Sequence, residues 1–426
     1  MTEADEPQSA RRASGQAAPE PAPATPAPVA RHGRLPRRRA ITGILGTLGI
    51  AFAVMIVSTL SIGSVWAWQT LDQLTGDSVV INPTPAVPPT IGAYEGGFNV
   101  LLVGSDADED RDGARNDVTI LVHVSADQTN AVAVSLPRDL LVPFPECTRP
   151  DGTTSFASSS RMINESLAEG GLACSVNVVE ELTGLDIQFA GEISFQGVIA
   201  MSDAVGGVPV CFAGDFYDRY TGLRLSEGTN VLEGNRAMLF LRSRHGVGDG
   251  GDLTRISSQQ VYLSSLMRKV KSEGTLTDPA KLFSLANAAS ENMTLSDELS
   301  SLDTMVAMAR ALATVDLAQM VFVQYPTFPA GNRVVPDQSK ADELMAAIAA
   351  DERFTLSDIG DGRGSVADPS ATPTDTAAPE PTESAPVEGE TDAPEPTETA
   401  APPADAPVFD IPGQTAADQT CTVPNR

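Results

Sequence analysis

The apolar positions of the chain fall into two kinds of run. One is long and unbroken: Ala40 to Trp68 contains no charged residue across 29 positions, more than the roughly 20 a helix needs to span a bilayer. Arg31, Arg34, Arg37, Arg38 and Arg39 stand before it, and Trp66 and Trp68 close it. Basic residues are retained in the cytoplasm and Trp favours the interface, so the pattern predicts one transmembrane helix over 40–68. Its N-terminus is cytoplasmic, everything after it is outside, and the protein is single-pass in the cell membrane. The run is too long for a signal peptide and lacks a small-x-small site near its end.

The other runs are short and interrupted. Asn99-Val-Leu-Leu-Val-Gly-Ser-Asp106 reads as a buried strand breaking into a polar loop. Asp117–Val124 and Asn130–Leu136 are two β-rich runs joined by the polar Asp127–Asn130, as in a hairpin. Helical spacing follows over 161–169, 175–183, 194–205, 234–241 and 254–271. Ser296 with Asp297 and Glu298 predicts the cap and first turn of a helix reaching residue 314. Val321–Tyr325 reads as a late strand and Ser339–Asp351 as a closing helix. Interleaved strands and helices predict an α/β domain with helices packed on a central sheet.

Composition sets the boundaries. Residues 1–39, with seven Arg against four acids, and the Pro/Thr/Glu-rich 357–426 are poor in large apolar side chains. Such sequence cannot offset its conformational entropy by burial, so both are expected to be disordered. A Pro-rich linker over 69–95 is expected to lift a folded domain, 96–356, off the membrane. The net charge is −28, which argues against nucleic acid as a partner. All four cysteines, Cys147, Cys174, Cys211 and Cys421, follow the apolar run. An even set on the outer side predicts disulfides, of which three pairings are possible. Cys147 with Cys174 across a Ser-rich stretch, leaving Cys211 with Cys421, is the expected pairing; swapped bridges and free thiols stay open.

Charge gathers where strands end or helices begin. Asp106, Arg115 and Asp117 lie on two strand edges, Pro137-Arg138-Asp139 follows a strand, and Arg242-Ser-Arg244-His245 precedes Asp252, Arg255 and Gln259. Arg242 and Arg244, at i and i+2 of an extended segment, would project together, and Arg255 and Gln259 share a helix face. A guanidinium grips phosphate oxygens through its planar fork. Carboxylates beside arginines and phosphate suit Mg²⁺. Each Arg–Asp pair taken singly reads better as an idle salt bridge, but the clusters taken together do not. There is no GxxxxGK[ST] loop, no CxxC and no His placed to activate Ser105, which removes P-loop, zinc and Ser-His-Asp chemistry.

The order NVLLVGSD, GARND, SLPRD, MINES with GG, DAVGGV, LRSRH and DLTRISSQQ over residues 97–270 resembles the LytR-CpsA-Psr family of cell-wall ligases. The resemblance implies a three-layer α/β/α domain with a central mixed sheet and a hydrophobic groove for a polyprenyl chain. It implies transfer of a wall glycopolymer, such as teichoic acid, capsule or arabinogalactan, from polyprenyl pyrophosphate to peptidoglycan, with membrane lipid as a further partner. It makes Asp106 and Asp117 ligands of Mg²⁺ (or Mn²⁺). It makes Arg115, Arg138, Arg161, Arg242, Arg244, Arg255 and Gln259 the pyrophosphate-binding set, with Asp117, Arg138, Arg242 and Arg244 catalytic. Two positions depart from the family: Met162 replaces a Lys and Ser258 an Arg. A polyprenyl-pyrophosphate pyrophosphatase and a non-catalytic lipid- or glycan-binding wall protein are the alternatives.

Overall fold

The computed structural model describes residues 78–81, 97–106, 115–149, 151–371 and 406–425. The expected cytoplasmic segment, membrane helix and most of the linker lie outside these residues. Among the described residues no helix is long and apolar enough to cross a membrane.

In chain order the principal strands are β1 (Phe98–Ser105), β2 (Asn116–Val124), β3 (Ala131–Leu136), β4 (Leu141–Phe144), β5 (Ser158–Met162), β6 (Phe189–Ile193), β7 (Val208–Phe212), β8 (Gly228–Leu232), β9 (Met293–Leu295), β10 (Met320–Gln324), β11 (Ser365–Ala367), β12 (Gly413–Thr415) and β13 (Thr420–Thr422). The helices are α1 (Ser166–Thr183), α2 (Phe195–Ala204), α3 (Asn235–Arg242), α4 (Asp252–Ser272), α5 (Pro279–Asn292), α6 (Leu302–Thr314) and α7 (Gln338–Ala349).

Seven strands form a mixed sheet in the order β9-β6-β1-β2-β3-β10-β12. Strands β1, β3, β6 and β10 run parallel to one another, and β2 runs against its neighbours. The six residues of β3 are all buried, as a strand covered on both faces must be. Leu101, Val103, Leu121, Val134 and Val323 share one core with Val176 and Val179 of α1 and Leu344 and Ile348 of α7. Val100, Ile120, Ala133 and Phe322 share another with Met308 and Ala311 of α6. Alternate residues of a strand face opposite ways, so helices cover both faces and the expected α/β architecture with a central mixed sheet is observed. Leu101 and Leu121 are essentially inaccessible, and truncating either to Ala would cost about 2–5 kcal/mol.

A second sheet, β8-β7-β13-β11, packs behind α4. Val261 and Tyr262 of α4 join its core, while Leu263 and Met267 reach the main sheet's. Helix α4 is therefore clamped between the two sheets, which fixes where its N-terminus points.

Three expectations are corrected. Residues 161–169 are not one helix: Arg161 and Met162 end β5, which pairs with β4, and α1 begins only at Ser166. Periodicity misleads there because the Ser-rich strand has few apolar residues to set a period of two. Ser296 does not cap α6. It is buried beside β6, its Oγ accepting from the Ala190 N–H at 3.2 Å, and Ser301 is the cap. The domain does not stop at residue 356: 357–371 and 406–425 are folded, with Ile411, Gln414, Ala416 and Cys421 buried. Here a few well-placed apolar residues outweigh a polar average. Of the expected tail, 372–405 and residue 426 lie outside the described residues.

Both expected disulfides are present. Cys147 bonds Cys174 with the Cα atoms 5.4 Å apart, and Cys211 bonds Cys421 at 4.4 Å, adjacent in the β7–β13 pair.

Candidate active site

The C-terminal ends of β1, β3, β6 and β10 lie on one edge of the sheet, where ligands bind in open α/β sheets. Gln324 ends β10 there and donates to the Leu253 carbonyl at 3.1 Å and to Ser257 Oγ at 2.7 Å. The first turn of α4 is thus brought to that edge.

Asp117 enters through a bulge in β2. Gly104 pairs with Val118 and Ser105 with Asn116, so Asp117 is the extra residue between them. A bulge re-aims one side chain without disturbing its neighbours. Its carboxylate receives a short hydrogen bond from Arg138 Nη1. Arg138 follows β3 by two residues, past Pro137. Its backbone N–H donates to Asp252 Oδ2 at 3.3 Å. Arg255 Nη2 lies 2.7 Å from Asp252 and donates to the Asp117 carbonyl at 2.6 Å. Arg244 Nη2 stands 3.9 Å from Asp117 and 3.8 Å from Asp252.

Three guanidiniums therefore converge on two carboxylates. Burial, and then the positive charges of Arg255 and Arg138, lower the Arg244 pKa from its usual value, though guanidinium stays protonated. Arg255 Nε is a buried donor with no hydrogen-bond partner among the described residues, and Arg138 Nε faces only the Asp139 carboxylate, 3.7 Å away. Buried N–H groups are normally satisfied. With Asp139 the three guanidiniums meet three carboxylates, and the open Arg255 Nε, with Arg244 held no closer than 3.8 Å to any carboxylate, leaves donors for an anion.

Arg242 ends α3 rather than lying on an extended segment, and its guanidinium sits 4.8 Å from the Phe195 ring centroid. It lines, with Asp117 and Arg255, a recess of about 50 Å³ walled by Val118, Phe195, Val198, Met238 and Leu241. An apolar recess thus opens beside the charged cluster.

The remaining expected residues are less central. Arg161 donates to Glu165 and Glu169 at 2.8 and 2.7 Å, and its ring partner is Phe144, 4.8 Å away. Gln259 is buried and donates to the Leu241 carbonyl at 2.7 Å, tying α3 to α4 rather than facing the cleft. Arg115 is exposed, and its guanidinium has no ion pair among the described residues; its backbone N–H donates to Asp106 Oδ1 at 2.8 Å. Asp106 thus lies one rung beyond the bulge that carries Asp117. Ser105 is hydrogen-bonded to Glu192, whose pKa burial pushes up.

Asp218 was not signalled by the sequence. Its carboxylate is 1% exposed and accepts from Ser243 Oγ and from the backbone N–H groups of Gly246 at 3.2 Å and Tyr220 at 2.8 Å. Burial alone would raise its pKa; these donors hold it below the usual carboxylate value. Asp218 thereby braces the turn that carries Arg244. No local motif announces it, because its partners are backbone groups of a distant turn.

The sequence is similar to cell-wall proteins and to one family model. The chain is 28% identical to the cell wall biosynthesis protein LcpA of Corynebacterium glutamicum over 238 residues, 48% of this chain and 46% of that protein. It is 30% identical to the probable cell wall biosynthesis protein LcpB of the same organism over 332 residues, 73% of this chain and 74% of LcpB. It is 27% identical to the polyisoprenyl-teichoic acid–peptidoglycan teichoic acid transferase TagT of Bacillus subtilis over 244 residues, 55% of this chain and 70% of TagT. The match to LcpA thus spans about half of that relative, and those to LcpB and TagT about three quarters or slightly less. The family model matches residues 70–348, which hold every arginine and carboxylate of the cluster, and the chain belongs to the LytR_cpsA_psr family.

Proposed function

We propose that this chain is a transferase that moves a wall glycopolymer from a polyprenyl-pyrophosphate carrier to a peptidoglycan hydroxyl. The observation that carries this is the open donor Arg255 Nε, beside the loosely held Arg244 at the mouth of an apolar recess. A pyrophosphate satisfies the donor, and the recess of about 50 Å³ admits at most the first carbons of the prenyl chain.

The acceptor oxygen attacks the phosphorus nearest the glycan. The bond from that phosphorus to the bridging oxygen breaks, leaving a phosphodiester and polyprenyl phosphate. Negative charge builds on the bridging and equatorial oxygens, where Arg138, Arg242, Arg244 and Arg255 stabilise it. Asp117 takes the hydroxyl proton. No nucleotide is consumed.

Asp106 and Asp117 offer carboxylate oxygens of the kind Mg²⁺ (or Mn²⁺) takes together with phosphate oxygens. Asp117 already neutralises Arg138, so an ion there would share it. Mg²⁺ would supply further charge neutralisation on the phosphate oxygens. Arg115, exposed at the same strand edge, would reach an outer phosphate oxygen.

The uncharged run 40–68, the arginines before it and the two disulfides support a single-pass membrane location with this domain outside. Incubating the full chain with a labelled lipid-pyrophosphate oligosaccharide, Mg²⁺ and peptidoglycan tests the reading. Label covalently joined to peptidoglycan supports it. Acceptor-independent release of glycan phosphate would make the chain a pyrophosphatase, and binding without turnover a lipid- or glycan-binding protein.

A further inference from the structure

The guanidinium of Arg244 has no partner closer than 3.8 Å among its ion pairs. Its position therefore depends on the backbone that carries it, residues 243–250. Asp218 braces that turn from one side. On the other side lies a segment outside the stretch matched by the family model. The Asn425 N–H donates to the Gly246 carbonyl at 2.9 Å, and Asn425 Nδ2 to the His245 carbonyl at 3.0 Å. The Gly248 N–H donates to the Val423 carbonyl at 2.9 Å, and Val247 bridges Pro424 in antiparallel fashion. The segment is itself fixed: the Val423 N–H donates to Gly364, and the Ala213 N–H to the Thr422 carbonyl.

The turn has little freedom to support itself. Gly248 adopts φ +48°, and a Cβ there would meet the Arg363 carbonyl at 2.8 Å. A Cβ on Gly246 would meet the Phe216 ring at 2.6 Å. The backbone is pressed between two walls, and the wall formed by 422–425 supplies hydrogen bonds on both sides of Val247.

We infer that Val423 and Asn425 are positioning residues for Arg244, so that residues 422–425 form a rear wall of the candidate active site. This rests on the transferase reading for its kinetic consequence but not for its structural one. The chemistry asked of the segment is modest: it touches no substrate and holds the carbonyls of His245 and Gly246 so that Arg244 faces Asp117.

The test compares the detergent-solubilised full chain with a variant lacking residues 423–426, which keeps Cys421, and with Asn425→Ala. Hydrogen exchange at the amides of 244–250, calorimetric binding of inorganic pyrophosphate and steady-state transfer are measured on each. Loss of the Val423 acceptor predicts roughly tenfold faster exchange at Gly248, and loss of the whole wall roughly tenfold weaker pyrophosphate binding, in the truncation. kcat falls, KM for peptidoglycan holds, and Asn425→Ala shows a smaller effect in the same direction. Unchanged exchange across 244–250 together with unchanged pyrophosphate affinity overturns the inference. If the unaltered chain neither binds pyrophosphate nor transfers, the transferase reading fails, while the exchange data still decide whether the segment holds the turn.

Discussion

Arg255 and Asp117 are 138 residues apart in sequence, yet Arg255 Nη2 donates to the Asp117 backbone carbonyl at 2.6 Å. The bond joins the first turn of α4 to the bulge of β2, so the helix and the sheet edge move as one. It also leaves the Asp117 carboxylate free to serve Arg138 and Arg244. Arg255 is thus occupied at one end and open at Nε.

Arg244 is the cleanest target, because no close partner depends on it. Arg244→Ala should lower kcat/KM by roughly 10²–10³, about 3–4 kcal/mol of transition-state stabilisation. Its melting temperature should stay close to that of the parent. Arg244→Lys should recover only part of the rate, since an ammonium cannot present the planar fork. Transfer kinetics with calorimetry on each variant decide this, and full activity in Arg244→Ala would remove the residue from the site.

The carboxylates separate two ways of neutralising phosphate. With Mg²⁺ shared between Asp106 and Asp117, chelation by EDTA should suppress transfer and added Mg²⁺ restore it. Asp117→Asn should remain slow at any Mg²⁺ concentration. Turnover indifferent to chelator would leave the arginines acting alone.

Asp218 gives a pH signature. Its folded pKa lies below the usual carboxylate value. Its contribution is therefore present above about pH 3.9, the unfolded value, and is lost as pH falls through the lowered folded value. Asp218→Asn should destabilise the chain by about 1.5–3 kcal/mol at neutral pH, the range for hydrogen bonds to a buried charge. Denaturant midpoints measured from pH 7 to pH 2 should fall less steeply in the variant than in the parent. Parallel curves would mean that the carboxylate charge contributes nothing.

Removing residues 406–425 takes out β12, β13 and Cys421 together. The Cys211–Cys421 bridge spans a sequence separation of 210, and losing such a native bridge costs about 2–5 kcal/mol. Scanning calorimetry should show a fall of many degrees, with Cys421→Ser giving part of it. A truncation with unchanged melting would mean that 406–425 adds nothing to either sheet.

How much was legible follows from what each residue reports locally. The strands β1, β2, β3 and β10 were readable because they are continuous apolar runs with covered faces. Asp117, Arg138, Arg244 and Arg255 were readable because each follows or opens an element beside another charge. β6, β7 and α5 were missed. Phe189-Ala-Gly-Glu-Ile and Val208-Pro-Val-Cys-Phe carry Gly or Pro inside strands, which propensity counts against. The cap at Asp278 with Pro279 behind it was a local signal for α5 that passed unread. Gln259 shared a face with Arg255 as expected, but its partner, the Leu241 carbonyl, was set by tertiary contact. Arg161 lies on β5 and is engaged by Glu165 and Glu169, partners at i, i+4 and i, i+8 that the helical spacing itself offered and that passed unread.

The placement of β12 against β10 bears on the order in which the protein can be assembled. Until 413–415 arrive, Val321-Phe-Val has hydrogen bonds from β3 on one side and bare amides on the other. Such an edge invites pairing with a second chain. The same late residues supply β13, which sits between β7 and β11. During synthesis both sheets therefore wait, unfinished, for residues 413–422, and contacts of such long sequence separation close slowly. A chain released early would expose adhesive edges on both sheets, making premature termination in this region a route to aggregation rather than to a merely shortened enzyme.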